Sequence, residues 1–201
     1  MKNLKNYLLI GCLLAFGLGI TACSDDDEAP EEEEGVEVIT NLTLKFTPEG
    51  GGAAVTAEAV DPDGAGSAEL AVQGPIGLAP NTTYTLTFEI SNELDPNDPE
   101  DIGEEIAEED DEHQLFFAFT DGVFSDPSGS GNIGNAGTVN YLDNDENGCP
   151  LGLETSWTTG DAQTGASFTV RLQHQPDIKT CSTGANDGDT DFNVQFVLNV
   201  Q

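Results

Sequence analysis

Short segments in which apolar and polar residues alternate are the feature that most constrains this fold. Three such segments place their apolar side chains on one face: Val36, Val38, Leu42, Leu44 and Phe46; Tyr84, Leu86, Phe88 and Ile90; and Phe192, Val194, Phe196, Leu198 and Val200. A period of two is typical of strands with one buried face. Gly- and Asp-rich turns, such as residues 49–52 and 61–64, separate strands of this kind. The pattern predicts an all-β protein, namely an antiparallel immunoglobulin-like β-sandwich.

One segment breaks the alternation. In residues 98–113 (DPEDIGEEIAEEDDEH), Asp98 is suited to cap a helix and Pro99 to occupy its first position. Ile102 and Ile106 then lie four residues apart on one side of an otherwise acidic helix. We expect one short acidic helical insertion over an end of the sandwich, which leads the chain directly into His113.

The N-terminus has the pattern of a secretory signal. Lys2 and Lys5 precede an apolar stretch that is too short to span a bilayer as a mature helix, and small residues stand just before Cys23. This run resembles the lipobox of bacterial lipoproteins, which implies that residues 1–22 are a signal peptide and that Cys23 carries fatty acyl groups. Such chains anchor a protein stably to a membrane. The alternative is a cleaved signal without lipid.

Residues 23–35 form an acidic tether ahead of the domain predicted at residues 36–201. Three aspartates and then the four consecutive glutamates Glu31 to Glu34 repel one another, so we expect this segment to stay extended. An acidic string directly after a lipidated cysteine resembles the surface-export signal of some Gram-negative lipoproteins. It favours the outer face of the outer membrane, with a plain spacer facing the periplasm as the alternative.

The charge of the chain excludes one class of partner. Without the signal peptide, 38 acidic residues face three bases, Lys45, Arg171 and Lys179, and the net charge is −35. Nucleic-acid binding depends on Lys and Arg that neutralise phosphates, so nucleic acid is excluded as a partner. Such a field concentrates cations near the surface, although solubility in salty surroundings is an equally good explanation.

The two histidines share a position relative to the predicted strands. His113 begins a strand on the same face as Leu115 and Phe117, whereas His174 ends a strand on the face of Leu172 and Val170. If these strands are antiparallel, both rings lie at one end of the sandwich on the core side. With Glu109 and Glu112 nearby, they predict a site for zinc or another transition metal. The alternative is two strand-end histidines that are hydrogen-bonded to a carboxylate or a turn carbonyl.

A second acidic segment predicts a calcium loop. Residues 143–154 (DNDENGCPLGLE) fit the spacing of an EF-hand loop, with Asp143, Asp145, Asn147 and Glu154 as candidate ligands. The pattern predicts strands rather than helices on both sides of this loop, and Asp and Asn before Gly also make an ordinary turn, which stays open as the alternative. The alternating Asp187, Asp189 and Asp191 have the same two interpretations.

Cys149 and Cys181 are the remaining cysteines of the exported chain. Export favours a disulfide between them, with cysteine ligation of a metal as the alternative.

The sequence offers little support for a catalytic function. No Gly-x-Ser-x-Gly segment occurs and no cysteine has a protease-like context, so we expect a protein that is not an enzyme. Trp157 and Tyr141 are candidates for an aromatic platform that binds a sugar, or for ordinary packing.

Several segments carry a resemblance to a known group. The lipobox, the acidic tether, VEVITNLTLKFTPEGGG, LAPNTTYTLTFEISNE, DEHQLFFAF and LQHQP are similar to short bacterial lipoproteins called "type 1 periplasmic binding fold superfamily protein". The resemblance implies histidines in both matching segments, with His-Glu-Pro where this chain reads His174-Gln175-Pro176. The name of this group implies a fold of two α/β lobes. Such lobes need a longer chain with more helix, so the β-sandwich remains our prediction.

Together these features predict a non-enzymatic binding lipoprotein of the outer membrane that captures a metal ion through His113 and His174 for a partner importer. The first alternative is a structural or adhesive surface module with calcium-stiffened loops. The second is a carbohydrate-binding module.

Overall fold

The fold is described from a computed structural model that covers residues 37–62, 64, 70–134 and 137–201. The predicted signal peptide, Cys23, the acidic tether and Val36 lie outside these residues. The elements are β1 (Asn41–Pro48), β2 (Val55–Val60), β3 (Ala71–Val72), β4 (Ile76–Leu78), β5 (Thr83–Ser91), α1 (Ile102–Glu108), β6 (His113–Phe119), β7 (Phe124–Asp126), β8 (Asn140–Tyr141), β9 (Glu154–Thr159), β10 (Gln163–His174) and β11 (Asp189–Val200).

The strands form two sheets. One has the order β3-β2-β1-β5-β9-β7, with β8 paired to another part of β9, and the other has the order β4-β11-β10-β6. All pairings are antiparallel except that of β4 with β11. The predicted all-β sandwich is therefore confirmed, with one parallel pair in the smaller sheet.

Side chains of both sheets make one apolar core. Leu42, Leu44 and Phe46 of β1 are fully buried, and the inward apolar residues of β11 are buried as well, so the period of two predicted the buried face correctly. The prediction was wrong at Val38, which is 38% exposed, whereas its neighbour Ile39 is buried. Residues 37–40, which directly precede β1, are not part of a strand, and strand parity does not extend to Val38.

Trp157 lies at the centre of an aromatic cluster. Its indole ring is fully buried, and its centroid is 4.8 Å from the ring of Phe124 and 5.1 Å from that of Phe168. Aromatic pairs at such distances stabilise a core beyond the area that they bury. Trp157 is a core residue and cannot present a platform to a sugar. Tyr141 is half-buried, and its hydroxyl donates to the carbonyl of Leu115.

Helix α1 lies against the end of the sandwich. Its apolar residues Ile102 and Ile106 are buried in the core, as predicted. Asp101, and not Asp98, is the N-cap, because its side chain accepts a hydrogen bond from the amide of Glu104. Within the described ranges no helix is both long and apolar enough to cross a membrane.

Two links hold the loops beside this end of the sandwich. The disulfide between Cys149 and Cys181 is formed, which confirms the predicted pairing. With a sequence separation of 32, the chain-entropy estimate gives a stabilisation of about 3.7 kcal/mol. Lys179 adds a second link, because its Nζ lies 2.9 Å from Asp145 Oδ2 and also donates to the carbonyl of Asp110.

Candidate metal centre

The antiparallel pairing of β6 and β10 brings the two imidazoles together. His113, the first residue of β6, is directly opposite His174, the last residue of β10. Their rings are stacked with centroids 4.5 Å apart and planes inclined by 6°. Both residues are buried, at 0% and 5% exposure. The predicted position of the two rings, at one end and on the core side, is therefore correct.

The ring of His113 has a defined tautomer. Its Nδ1 is 3.2 Å from the carbonyl oxygen of Glu109, which can only accept, so Nδ1 carries the proton. Its Nε2 lone pair is buried and finds no hydrogen-bond partner within the described residues. Burial lowers the pKa of His113 to about 4, with further lowering by His174 and Lys179, while the Glu109 carbonyl acts in the opposite direction. The imidazole is thus neutral near pH 7, which is the form that binds metals.

Two carboxylates from the segment after α1 complete the group. Glu109 Oε2 lies 4.0 Å from His113 Nδ1, and Glu112 Oε2 lies 3.4 Å from His174 Nε2. Potential ligand atoms of Glu109, His113 and His174 all lie within 4.8 Å of one another. The side chain of Glu109 is 55% exposed, whereas those of His113 and His174 are 0% and 6% exposed, so an ion would approach the group from the side of Glu109. Three of the four predicted ligands, Glu109, His113 and His174, therefore form one group, whereas Glu112 lies beside His174 outside that group.

The segment that carries these carboxylates is tied to the loop after β10. The amide of Gln175 donates to the carbonyl of Glu112 at 2.6 Å, and Lys179 contacts the carbonyl of Asp110. The side-chain amide of Gln175 donates to the carbonyls of Gly184 and Asp187. A glutamate at this position could not donate these bonds at neutral pH, so Gln175 holds the loop rather than supplying a ligand.

The arrangement needs a small adjustment to hold an ion. Bonds of roughly 2.0 to 2.1 Å place two nitrogens on one zinc about 3.4 Å apart at the tetrahedral angle, with each lone pair pointing at the metal. Stacked rings aim their lone pairs side by side instead. Binding of one ion would therefore require rotation of one imidazole and movement of the exposed Glu109 carboxylate, which lies 4.0 Å from His113 Nδ1, toward the Nε2 lone pair. We therefore expect ion binding to disrupt the ring stack.

Asp191 is a nearby buried acid that sequence reasoning did not connect to the histidines. It is 3% exposed, and neither carboxylate oxygen has a hydrogen-bond partner in the part of the chain that the structure describes. Burial raises the pKa of Asp191 to about 7, although His174 and the backbone amide of Glu37 favour its charged form. That amide does not reach hydrogen-bonding geometry, because both oxygens remain without a partner. Sequence reasoning missed a β-bulge in β11. In a regular strand Asp191 and its neighbour Phe192 would point to opposite faces of the sheet, so Asp191 would be expected on the outer face.

The loop predicted as a calcium site uses its carboxylates internally. Asp143 accepts hydrogen bonds from the amides of Gly152 and Glu154. Asp145 accepts from the amides of Asn147 and Cys149 and pairs with Lys179. A calcium ion would have to displace a buried lysine ammonium, so these contacts favour the ordinary turn. The residues of the second acidic set, Asp187, Asp189 and Asp191, differ in their environment. Asp187 accepts a hydrogen bond from the amide of Gly184, whereas Asp189 is exposed.

A pocket of about 610 Å³ lies beside the N-terminus of α1 and the end of β5, away from the histidines. Its polar wall is acidic, and its lining includes Glu89, Glu93, Glu100, Asp101 and Glu104. The concave surface and the imidazole pair are thus separate features. The pocket supplies carboxylates without a nitrogen ligand, so it is the weaker candidate for a transition metal.

Comparison of the chain with protein-family models, curated proteins and solved structures gives no match. Function has to be inferred from the residues of the site.

Proposed function

We propose that this protein captures a divalent transition metal ion, zinc or a similar ion, through His113 and His174. The observation that carries the proposal is the pair of buried imidazoles at a centroid distance of 4.5 Å, with a carboxylate of Glu109 in the same group. Buried histidines usually find partners for both nitrogens, whereas His113 Nε2 has none among the described residues. A metal ion would use this lone pair.

The donor atoms favour ions of intermediate softness. The group offers imidazole nitrogens and carboxylate oxygens, which suit zinc and its neighbours. In the described part of the chain both cysteines are joined in a disulfide, so thiolates do not contribute. Copper(I), which prefers thiolate and thioether ligands, is therefore a poor match.

The anchoring part of the proposal rests on the sequence. The lipobox ending at Cys23 and the acidic residues after it support a lipoprotein of the outer membrane that faces the cell exterior, with the periplasmic face as the alternative. A net charge of −35 after signal removal raises the concentration of cations around such a protein. We also propose that the captured ion passes to an outer-membrane importer.

Zinc titration with histidine variants tests this function. We expect the purified wild-type chain to bind one equivalent of zinc with a dissociation constant at or below the micromolar range. His113→Gln and His174→Gln should each weaken binding by at least about 100-fold, because removal of a ligand exceeds the 10- to 100-fold loss that outer-shell changes cause. Calorimetry and competition with a chromophoric chelator measure both affinities.

Glu104→Gln is the control variant. Glu104 is an exposed carboxylate of α1, the helix that precedes Glu109 and Glu112, and it lines the separate pocket. Its zinc affinity should equal that of the wild type. Absence of wild-type binding at micromolar zinc would contradict the proposal. Unchanged binding in a variant that combines His113→Gln with His174→Gln would contradict it as well.

A structural surface module is the second candidate. It is favoured by the loops at this end, which are fastened by the Cys149–Cys181 disulfide and by the buried pair of Lys179 and Asp145. Such bracing serves a rigid scaffold as well as a binding site. The zinc titration separates the two functions, since a scaffold does not require the imidazoles to bind an ion.

A further inference from the structure

A β-bulge in β11 turns Asp191 toward the interior. Leu172 of β10 is opposite Phe192, but the next residue, Gln173, is opposite Thr190, so Asp191 is an extra residue on its strand. In a regular strand, successive side chains point to opposite faces. Here Asp191 and Phe192 are both buried, which a bulge permits because it redirects the extra side chain. The fold therefore places a carboxylate on the core side at the end of β10.

The surroundings of this carboxylate contain charged groups from three elements. They are His174 at the end of β10, Glu37 in the segment before β1, and Asp189 on β11. Glu37 in turn interacts electrostatically with His174 and with Glu109 and Glu105 of the helical segment. Asp191 thus belongs to the same electrostatic group as the histidine pair. No lysine or arginine pairs with it among the residues that the structure covers.

A buried carboxylate without a donor is costly to the fold. Transfer of an ionised carboxylate from water into the interior is strongly unfavourable unless an opposite charge or hydrogen bonds compensate. Within the described residues no hydrogen bond, lysine or arginine reaches the two oxygens of Asp191, and His174 offsets the cost of burial only in part. Unpaired buried groups of this kind are concentrated at functional sites, where a ligand supplies the missing partner.

We propose that Asp191 is a ligand of the metal bound by His113 and His174, and that the site consists of two imidazoles and two carboxylates, from Asp191 and Glu109. Among the described residues, the potential ligand atoms within 4.8 Å of one another are those of Glu109, His113 and His174, so Asp191 joins them through the rearrangement that breaks the ring stack, and Glu112 stays beside His174. This inference rests on the proposed function. Two carboxylates match the charge of a divalent cation, and a mixed nitrogen and oxygen set of four suits zinc or cobalt(II). The bulge then has a function, because it turns Asp191 to the core side of the sheet, whereas a regular strand would leave Asp191 on the outer face.

Cobalt(II) is the probe for this inference, because its visible absorption bands report the ligand set. We expect Asp191→Asn to weaken both zinc and cobalt(II) binding by at least about tenfold and to change the shape of the cobalt(II) bands. Asp161→Asn is the matched control, because it removes the same charge from an exposed position in the turn before β10, at the opposite end of that strand from His174. Its affinity should stay within about twofold of wild type, with an unchanged spectrum.

The outcomes separate this inference from the proposed function. If the wild-type chain binds neither ion, the proposed function itself fails. If the wild type binds but Asp191→Asn retains the same affinity and spectrum, only the ligand role of Asp191 is overturned. Asp191→Leu, an apolar residue of similar size, is the second variant in case the amide disturbs the interior. Failure of both variants to fold, judged by circular dichroism, would show that the carboxylate is needed for structure and would also overturn the inference.

Discussion

Lys179→Met is expected to lower the free energy of unfolding by about 3 to 5 kcal/mol, the usual cost of removing one partner of a buried ion pair. The side chains of Lys179 and Asp145 are 1% and 2% exposed, and their charged atoms are 2.9 Å apart. Hydrogen bonds from Lys179 and from the amide of Cys149 lower the pKa of Asp145 against the opposing effect of burial. Without the lysine, the carboxylate stays buried with backbone amides as its remaining partners. Chemical denaturation monitored by the fluorescence of Trp157 measures the loss.

Lys45→Met provides the comparison for this variant. Lys45 is exposed on β1, and its replacement should change stability by less than about 0.5 kcal/mol. The double variant Lys179→Met with Asp145→Asn removes both charges and should be more stable than Lys179→Met alone. A loss below about 1 kcal/mol in Lys179→Met would show that the pair does not hold these loops.

Asp191→Asn is expected to change how the stability of the metal-free protein depends on pH. The pKa of Asp191 is about 7 in the folded chain, where burial raises it from 3.8. The folded state therefore binds more protons than the unfolded state between these pH values. The contribution of protonated Asp191 is fully present below about pH 4 and is lost as the pH rises through about 7. The asparagine variant lacks this loss, so its stability relative to wild type should increase by up to about 4 kcal/mol from pH 4 to pH 8.

Comparison of variant and wild type at each pH isolates this effect. His113 acts in the opposite direction, because its pKa is lowered to about 4 and its contribution is lost as the pH falls from about 6.5. Since both proteins contain His113, its contribution largely cancels in the difference. Thermal unfolding in the presence of a chelator gives the two curves. A difference that does not vary with pH would mean that Asp191 is solvated or paired in the folded protein.

Asp191 and His113 are groups whose burial is costly to the fold. Asp191 carries unpaired oxygens and His113 an unpaired ring nitrogen, all inside the protein and within the residues described. An ordinary core would place apolar residues at these positions and gain stability. Their combination at one end of the sandwich is the pattern expected of a site that a ligand completes.

The sequence was sufficient for the architecture because strand parity determines which residues are buried. Alternation in β1 and β11 identified the core side chains, and the positions of His113 and His174 at opposite ends of their strands predicted the meeting of their rings. The alternation of a regular strand cannot reveal a bulge, so Asp191 was grouped with Asp189 although Asp191 is buried and Asp189 is exposed. The helix cap was misassigned because Asp98 and Asp101 both precede the isoleucines.

Local sequence patterns also could not predict which side chains pair over long distances in the sequence. The spacing of Asp143 and Asp145 fits a calcium loop, but the partner that occupies Asp145 is Lys179, 34 positions further along the chain. The disulfide could be predicted because only two cysteines remained to pair. The pairing of Lys179 could not, since 38 acidic residues were available to one lysine.

Zinc K-edge X-ray absorption of the wild-type chain, loaded with one equivalent of zinc, tests the central claim most directly. Imidazole rings give a characteristic multiple-scattering pattern, and the account predicts two of them together with oxygen ligands, all at roughly 2.0 to 2.2 Å. A first shell with oxygen alone, or with a single imidazole, would contradict capture of one ion between His113 and His174.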